Sequence, residues 1–217
     1  MTTPTLLFVD ATIRDGSTSR LLAQRYLERW RRAHPAGRVV HRDLLADPPA
    51  HVTHIEADHF FYEPGCHAGL DEPGLARCAE YIAELQSATQ LLMAMPMHNF
   101  TVPSTLKAWI DHIAWPDYAF DDDGRGLIRI PAVAVLARGG GYSPGAPKAD
   151  WNFQEPYLEK VLEFIGVTKL DFVVAELTTF AGADSPNPKL RELAQRSLAT
   201  AHERIDELVP LPARAAA

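Results

Sequence analysis

Apolar residues recur along this chain with two distinct periods. Five short runs, at residues 5–9, 38–41, 91–95, 132–137 and 171–175, predict strands. Most are close to continuously apolar rather than alternating, the pattern of strands buried on both faces of a parallel sheet. The longer stretches between them carry helical spacing. Leu22, Tyr26, Trp30 and Ala33 form one stripe, which Pro35 stops. A second helix opens at Pro73 and buries Leu75, Cys78, Ile82 and Leu85. A third opens at Pro103, buries Leu106, Ile110 and Ile113, and ends before Pro116. The fourth carries Leu158, Val161, Leu162 and Ile165 and closes on Gly166, a natural C-cap. The fifth carries Leu190, Leu193, Ser197, Ala201, Ile205 and Leu208.

Strands alternating with helices predict a parallel sheet covered on both sides, because parallel strands need crossover connections. Five such units suit one doubly wound α/β domain over residues 1–209, a three-layer αβα sandwich with the flavodoxin-like strand order 2-1-3-4-5. A half-Rossmann arrangement of the same parts is the alternative. Residues 210–217 read as a frayed tail. Two segments break the repeat: 47–72 is long and irregular, and 114–129 holds an acidic turn, Asp121-Asp122-Asp123-Gly124.

Composition narrows the function classes. With 47% hydrophobic and 23% charged residues in 217, the chain has the balance of a folded globular protein. A net charge of -7 argues against nucleic-acid binding, which calls for a basic stripe. The one basic clump, Arg29-Trp30-Arg31-Arg32, reads as a solvated helix face. No apolar run is long enough to span a bilayer. The N-terminus lacks a basic region followed by a cleavage site, so the expectation is a cytoplasmic chain with Cys66 and Cys78 both reduced.

In an open α/β sheet, ligands bind beyond the carboxyl ends of the strands, where the strand order reverses. That singles out the loops after strands one, three and four. The first runs from Ala11 through Asp15-Gly16-Ser17-Thr18-Ser19 into a helix. It matches neither a triphosphate nor a dinucleotide fingerprint. Its hydroxyls at a helix N-terminus suit a single phosphate, although a plain N-cap would account for one of them. The second loop, Pro96-Met97-His98-Asn99-Phe100-Thr101-Val102-Pro103, offers a rigid, partly polar platform for a planar heterocycle, or else a proline-bounded turn with a buried Phe. The third, Arg138-Gly139-Gly140-Gly141, implies close backbone approach to a ligand, or simple flexibility.

Together the three loops resemble the FMN-dependent NAD(P)H:quinone oxidoreductase and azoreductase family. The resemblance rests on Ser17-Thr18-Ser19, on Pro96-Met97-His98-Asn99-Phe100 with Pro103, and on Ala137-Arg138-Gly139-Gly140. It is extended by the segments Leu106-Lys107-Ala108-Trp109-Ile110-Asp111 and Phe164-Ile165-Gly166-Val167, and so covers nearly the whole chain. It implies a flavodoxin-like homodimer with FMN at the subunit interface and NAD(P)H as electron donor. Ser17, Thr18 and Ser19 would hold the phosphate. Pro96, Met97, His98, Asn99 and Phe100, with Arg138, Gly139, Gly140 and Gly141, would border the ring system. Phe120 and Phe164 resemble substrate-side aromatics, with plain core packing the alternative for Phe164. This chain departs from the family pattern at Asp10-Ala11-Thr12, where a serine is usual; at His98, usually Tyr; and at Ala137, often Ser or Thr. Asp10 would repel a phosphate if it pointed inward.

The implied chemistry is ping-pong: hydride from NAD(P)H to FMN, then two-electron reduction of a quinone or azo compound. Asn99 and backbone N–H groups would stabilise developing charge, and His98 would either donate a proton to the product or merely pack beside the ring. A flavodoxin-like electron carrier without direct NAD(P)H turnover is the rival. A metal site in the segment holding His51, His54, Asp58, His59, Cys66 and His67 matches no standard zinc spacing, so no metal is expected.

Overall fold

The computed structural model describes residues 3–52 and 73–210. Its core is a five-stranded, fully parallel sheet in the order β2-β1-β3-β4-β5. The strands are β1 (Thr5–Asp10), β2 (Arg38–Asp43), β3 (Gln90–Pro96), β4 (Pro131–Ala137) and β5 (Lys169–Ala175). The helices are α1 (Thr18–Ala33), α2 (Pro73–Ser87), α3 (Ser104–Ile113), α4 (Gln154–Ile165) and α5 (Pro188–Leu208). This is the expected doubly wound order, and it excludes the half-Rossmann alternative.

Successive side chains of a strand face opposite sides of the sheet, and here they feed two separate cores. Leu7, Val9, Leu91, Met93 and Met95 pack with Trp109, Ile110, Leu158 and Leu162 on one side. Leu6, Phe8, Leu92, Ala94, Val133 and Val135 pack with Leu22, Tyr26, Trp30, Ala201 and Ile205 on the other. Each fully buried Leu or Val contributes about 1.5–3 kcal/mol. The large Trp30 fits because its Nε1 donates to Gln90 Oε1 at 2.9 Å, and Gln90 in turn donates to the Tyr26 hydroxyl at 2.6 Å. Trp30 is therefore core rather than solvated face. Arg29 beside it donates to the Val209 carbonyl at 2.9 Å, closing the end of α5 onto α1.

The α5 stripe differs from its sequence reading. Its buried residues are Ala194, Ala201 and Ile205, while Leu193 is 48% exposed. Small Ala residues let the helix sit close to the sheet, and that contact turns Leu193 outward. The irregular segment 114–129 is folded against the end of α4, where Ile128 N donates to the Ile165 carbonyl at 2.9 Å. Gly126 makes this possible: a Cβ there would lie 2.1 Å from the backbone nitrogen of Gly166. Gly166 itself caps α4 in the left-handed region at φ 98°.

Candidate cofactor cleft at the carboxyl end of the sheet

Above the carboxyl ends of the central strands lies a cleft of ≈ 230 Å³. Its lining comes from four loops: Ile13, Arg14, Ser17 and Thr18 after β1; Pro96, Met97 and His98 at the end of β3; Ala137 and Gly139 at the end of β4; and Thr178 and Thr179 after β5. The fold explains this convergence, since β1 and β3 are neighbours whose crossovers leave in opposite directions.

The loop after β1 is shaped from below. Asp10 is buried, and its Oδ1 accepts the Thr12 N–H at 3.0 Å and the Thr12 hydroxyl at 2.6 Å. Its Oδ2 lies 2.8 Å from Arg20 Nε and 3.8 Å from His41 Nε2. Burial works upward on this carboxyl, but contacts from His41, Thr12 and Arg20 outweigh it and hold the pKa below the usual carboxylate range. Asp10 thus points beneath the loop and does not line the cleft, so the repulsion anticipated from its sequence position has no geometric basis. Asp10, His41 and Asp43 would be close enough to share a metal ion. The space between the carboxylates is taken by Arg20, whose Nη2 is 3.8 Å from Asp43. The His- and Cys-containing stretch weighed as a metal site falls, apart from His51, outside the described residues.

Above this anchor, Gly16 takes φ 69° and delivers Ser17 to the start of α1. Ser17 Oγ lies 3.0 Å from Ser19 Oγ, and both residues are buried. Of the three hydroxyl residues, Ser17 and Thr18 reach the cleft, whereas Ser19 supports Ser17 from behind. The free N–H groups of the first turn and the helix dipole favour an anion at this end. Arg14 adds a cation.

The loop after β3 is a tight turn. His98 and Thr101 exchange two backbone hydrogen bonds of 3.0 Å, and the intervening Asn99 and Phe100 take φ 46° and 70°. Positive φ at both central residues is the type I′ pattern, uncommon without glycine. Phe100 holds its place by edge contacts with Trp151 at 5.0 Å and Tyr142 at 6.2 Å. Met97 and His98 face the cleft. Asn99 instead borders a neighbouring groove of ≈ 470 Å³ with His98, Lys107 and Tyr157. Burial and the nearby Asp111 push the Tyr157 phenol up to about 12.

The glycine loop after β4 is held asymmetrically. The Arg138 carbonyl accepts from Thr178 N and Oγ1, both at 3.0 Å. The Gly139 carbonyl accepts from Thr179 Oγ1 at 2.8 Å, and the Gly140 carbonyl from Leu177 N at 3.1 Å. The N–H groups of Gly139, Gly140 and Gly141 meet no acceptor among the described residues. The Arg138 side chain, expected to border a ring, is fully buried instead, against Glu155, Glu176 and Gln154. Phe120 and Phe164 pair with each other at 4.6 Å, outside the cleft lining, with Phe164 44% exposed.

Sequence reasoning did not single out Ile13, Arg14, Thr178 or Thr179. The two threonines follow an ordinary strand end with no Gly or Pro to mark it. The local sign is structural: Leu177 takes φ 58°.

A family model described as "Flavodoxin-like fold" matches residues 4–201. The chain is 40% identical over 185 residues to the FMN-dependent NADH:quinone oxidoreductase of Frankia alni, covering 81% of this chain and 84% of that one. It is 37% identical over 205 residues to the protein of the same name from Frankia casuarinae, covering 91% and 95%. Among solved structures, an azoreductase from Bacillus anthracis str. Sterne superposes with a TM-score of 0.80 at 24% identity, covering 95% of this chain and 98% of that one. That last likeness speaks to the fold.

Proposed function

The chain belongs to the family of flavodoxin-like FMN-dependent NADH:quinone oxidoreductases, and on that premise we propose that it is an FMN enzyme that takes electrons from NAD(P)H and reduces quinones or azo compounds by two electrons. The observation that carries this reading is the convergence of four loops on one cleft with opposite chemical ends.

The residues present fit FMN. Ser17, Thr18, Arg14 and the first-turn N–H groups of α1 suit the phosphate. Met97 and Ala137 give an apolar wall for a flat ring system, and the unengaged N–H groups of Gly139, in the cleft lining, and of Gly140 and Gly141 next to it in the loop suit its polar edge. When bound, FMN supplies the redox chemistry, accepting hydride from NAD(P)H and releasing two electrons to the acceptor in a second half-reaction. The chain's part is to orient, to stabilise charge and to handle protons. Backbone donors fixed before the reaction stabilise developing negative charge without reorganising. His98, between cleft and groove, can pass an imidazole proton to the reduced product. The side chain of Asn99, at the turn tip, is available to a ligand entering from the groove.

The exposed rings of Trp151, Phe153 and Phe164 support a homodimer, because large apolar side chains left in water are candidates for burial against a second copy. Sedimentation velocity checks this: a single species near twice the chain mass is expected, and a monomer at micromolar concentration overturns it. A cytoplasmic location belongs to the same reading. No described helix is long and apolar enough to cross a membrane.

The deciding experiment is an absorbance spectrum of the purified protein with FMN added. Flavin bands that bleach with NADH and return with a quinone are expected. Bound flavin that resists NADH would make this an electron carrier, and failure to bind FMN would remove the reading.

A further inference from the structure

The glycine loop after β4 is held by two sets of contacts that share one function. On one side the turn at residues 177–179 satisfies three consecutive carbonyls, those of Arg138, Gly139 and Gly140. On the other, Glu176 accepts the Tyr142 N–H at 2.8 Å and the Ser143 N–H at 3.3 Å, fixing where the loop leaves the cleft. Glu176 is itself held by Arg138 Nη1 at 3.2 Å. The Arg138 guanidinium also reaches Glu155 and donates from Nε to Gln154 Oε1 at 3.1 Å. Gln154 then donates to the Pro96 carbonyl at 3.0 Å, which ties the loop after β3 to the same hub.

A fully buried guanidinium with two carboxylates is costly to assemble unless every donor is used. Here the packing spends that cost on backbone geometry. All carbonyls at residues 138–140 point to protein partners, and the N–H groups of residues 139–141 do not. Left to itself, a triple glycine samples many conformations, and its donors would point in different directions.

We propose that Glu176, Arg138 and the hydroxyls of Thr178 and Thr179 form a positioning clamp that presets the N–H groups of Gly139, Gly140 and Gly141 for the flavin. Glu176 and Arg138 act through the loop, as positioning residues. This rests on the FMN reading given above. A ligand that accepts from those N–H groups finds them already aligned, so little ordering entropy is lost on binding.

The test compares Glu176→Gln, Glu176→Asp, Thr179→Val and Thr179→Ser with the wild-type chain by FMN titration, far-UV circular dichroism and amide hydrogen exchange. Glu176→Gln is expected to weaken FMN binding about ten- to a hundredfold, the range for losing hydrogen bonds to a charged group, with an unchanged dichroism spectrum. Thr179→Val is expected to weaken it about three- to tenfold, for one neutral hydrogen bond lost. Thr179→Ser, which keeps the hydroxyl, should restore it, a split that mere packing would not produce. Glu176→Asp, too short to reach both amides, should lie between. Wild-type affinity in both Glu176→Gln and Thr179→Val overturns the clamp while leaving the FMN reading intact.

If the wild-type chain itself binds no FMN, the functional reading fails, and the clamp is decided by exchange in the free protein. The Tyr142 and Leu177 amides, which close its two sides, should be protected in wild type and exchange faster in Glu176→Gln and Thr179→Val. Unprotected amides in the wild type overturn the clamp.

Discussion

Replacing Asp10 by Asn sets two opposite expectations against each other. A carboxylate facing the phosphate end of the cleft would repel it, so neutralising Asp10 would tighten FMN binding. The structure instead puts this side chain beneath the loop at 2% exposure, with the Arg20 Nε at 2.8 Å. Asparagine can keep the two contacts that Oδ1 accepts from Thr12. It loses the charge that Arg20 faces and places an amide donor against a guanidinium. Stranding one partner of a buried ion pair costs about 3–5 kcal/mol. Arg20 is 19% exposed and keeps its Nη2 contacts to the Thr12 carbonyl at 3.3 Å and to Asp43 at 3.8 Å, so the remaining partners and partial solvation bring the expected cost to about 2 kcal/mol. Urea unfolding measures that cost, and FMN titration should show binding weakened by about tenfold as the loop loses its anchor. The acid limb supplies an independent check. The folded pKa of Asp10 is depressed, so on acidification the unfolded chain takes up this proton first. Its stabilisation is present above the unfolded value of about 3.9 and is lost as pH falls through the lower folded value. Below about pH 4 the wild type should therefore lose stability more steeply than Asp10→Asn. Tighter FMN binding by the variant, or stability within about 0.5 kcal/mol of wild type, refutes the argument.

Other substitutions probe other joints. Gly126→Ala should cost about 3 kcal/mol or more in urea unfolding, since its Cβ meets the Gly166 backbone, while Gly124→Ala, strained at φ 72° but unobstructed, should cost about 1 kcal/mol. His98→Phe should lower quinone turnover without abolishing FMN binding, because the turn is held by the backbone of His98 rather than its ring; equal steady-state rates would remove the proton role. Asn99→Gly should be neutral within about 0.5 kcal/mol, and Asn99→Val should destabilise by about 1–2 kcal/mol, because a β-branched residue resists φ 46°. Equal stabilities for the two variants would show that the turn opens without cost.

Nearly continuous apolar runs marked most of the strands, because a doubly covered parallel sheet leaves no polar face to interrupt them; the edge strand β2, Arg38–Asp43, is only partly covered and more polar. The runs stop short where polar residues continue the ladder: Asp10 pairs with Asp43 on one side and Ala94 on the other. In α5 Ala201 and Ile205 were legible and are buried, but Leu193 was read where Ala194 carries the contact, because a small residue gives weak periodic signal beside a Leu. At the site, Ser17, Thr18, Met97, His98 and Gly139 stand in loops flagged by hydroxyls, prolines and glycines. The direction of the Arg138 side chain was not legible, since its partners Glu155 and Glu176 come from α4 and the end of β5. Which way Asp10 points was not legible for the same reason: Arg20 and His41, which contact it from below the loop, lie on α1 and β2. Charged residues next to a ligand loop look like ligand contacts until their countercharges are placed.

Three of the four loops of the cleft are held by different devices, and the difference bears on what each can offer a ligand. A backbone group already hydrogen-bonded within the protein cannot serve a ligand without first losing that bond, whereas an unpaired N–H facing a cleft gains one. After β1 the protein uses Asp10 to hold Thr12, leaving the first-turn amides of α1 open to an anion. After β3 the reciprocal bonds between His98 and Thr101 consume the backbone groups of those two residues, and the side chains of Met97, His98 and Asn99 are left to a ligand. After β4 the carbonyls are consumed and the amides are not, so that loop can only donate. A ligand satisfying all three must present an anionic end toward Ser17, an apolar face toward Met97, and hydrogen-bond acceptors toward Gly139. A phosphorylated flavin meets these requirements, and a bare phosphate meets only the first.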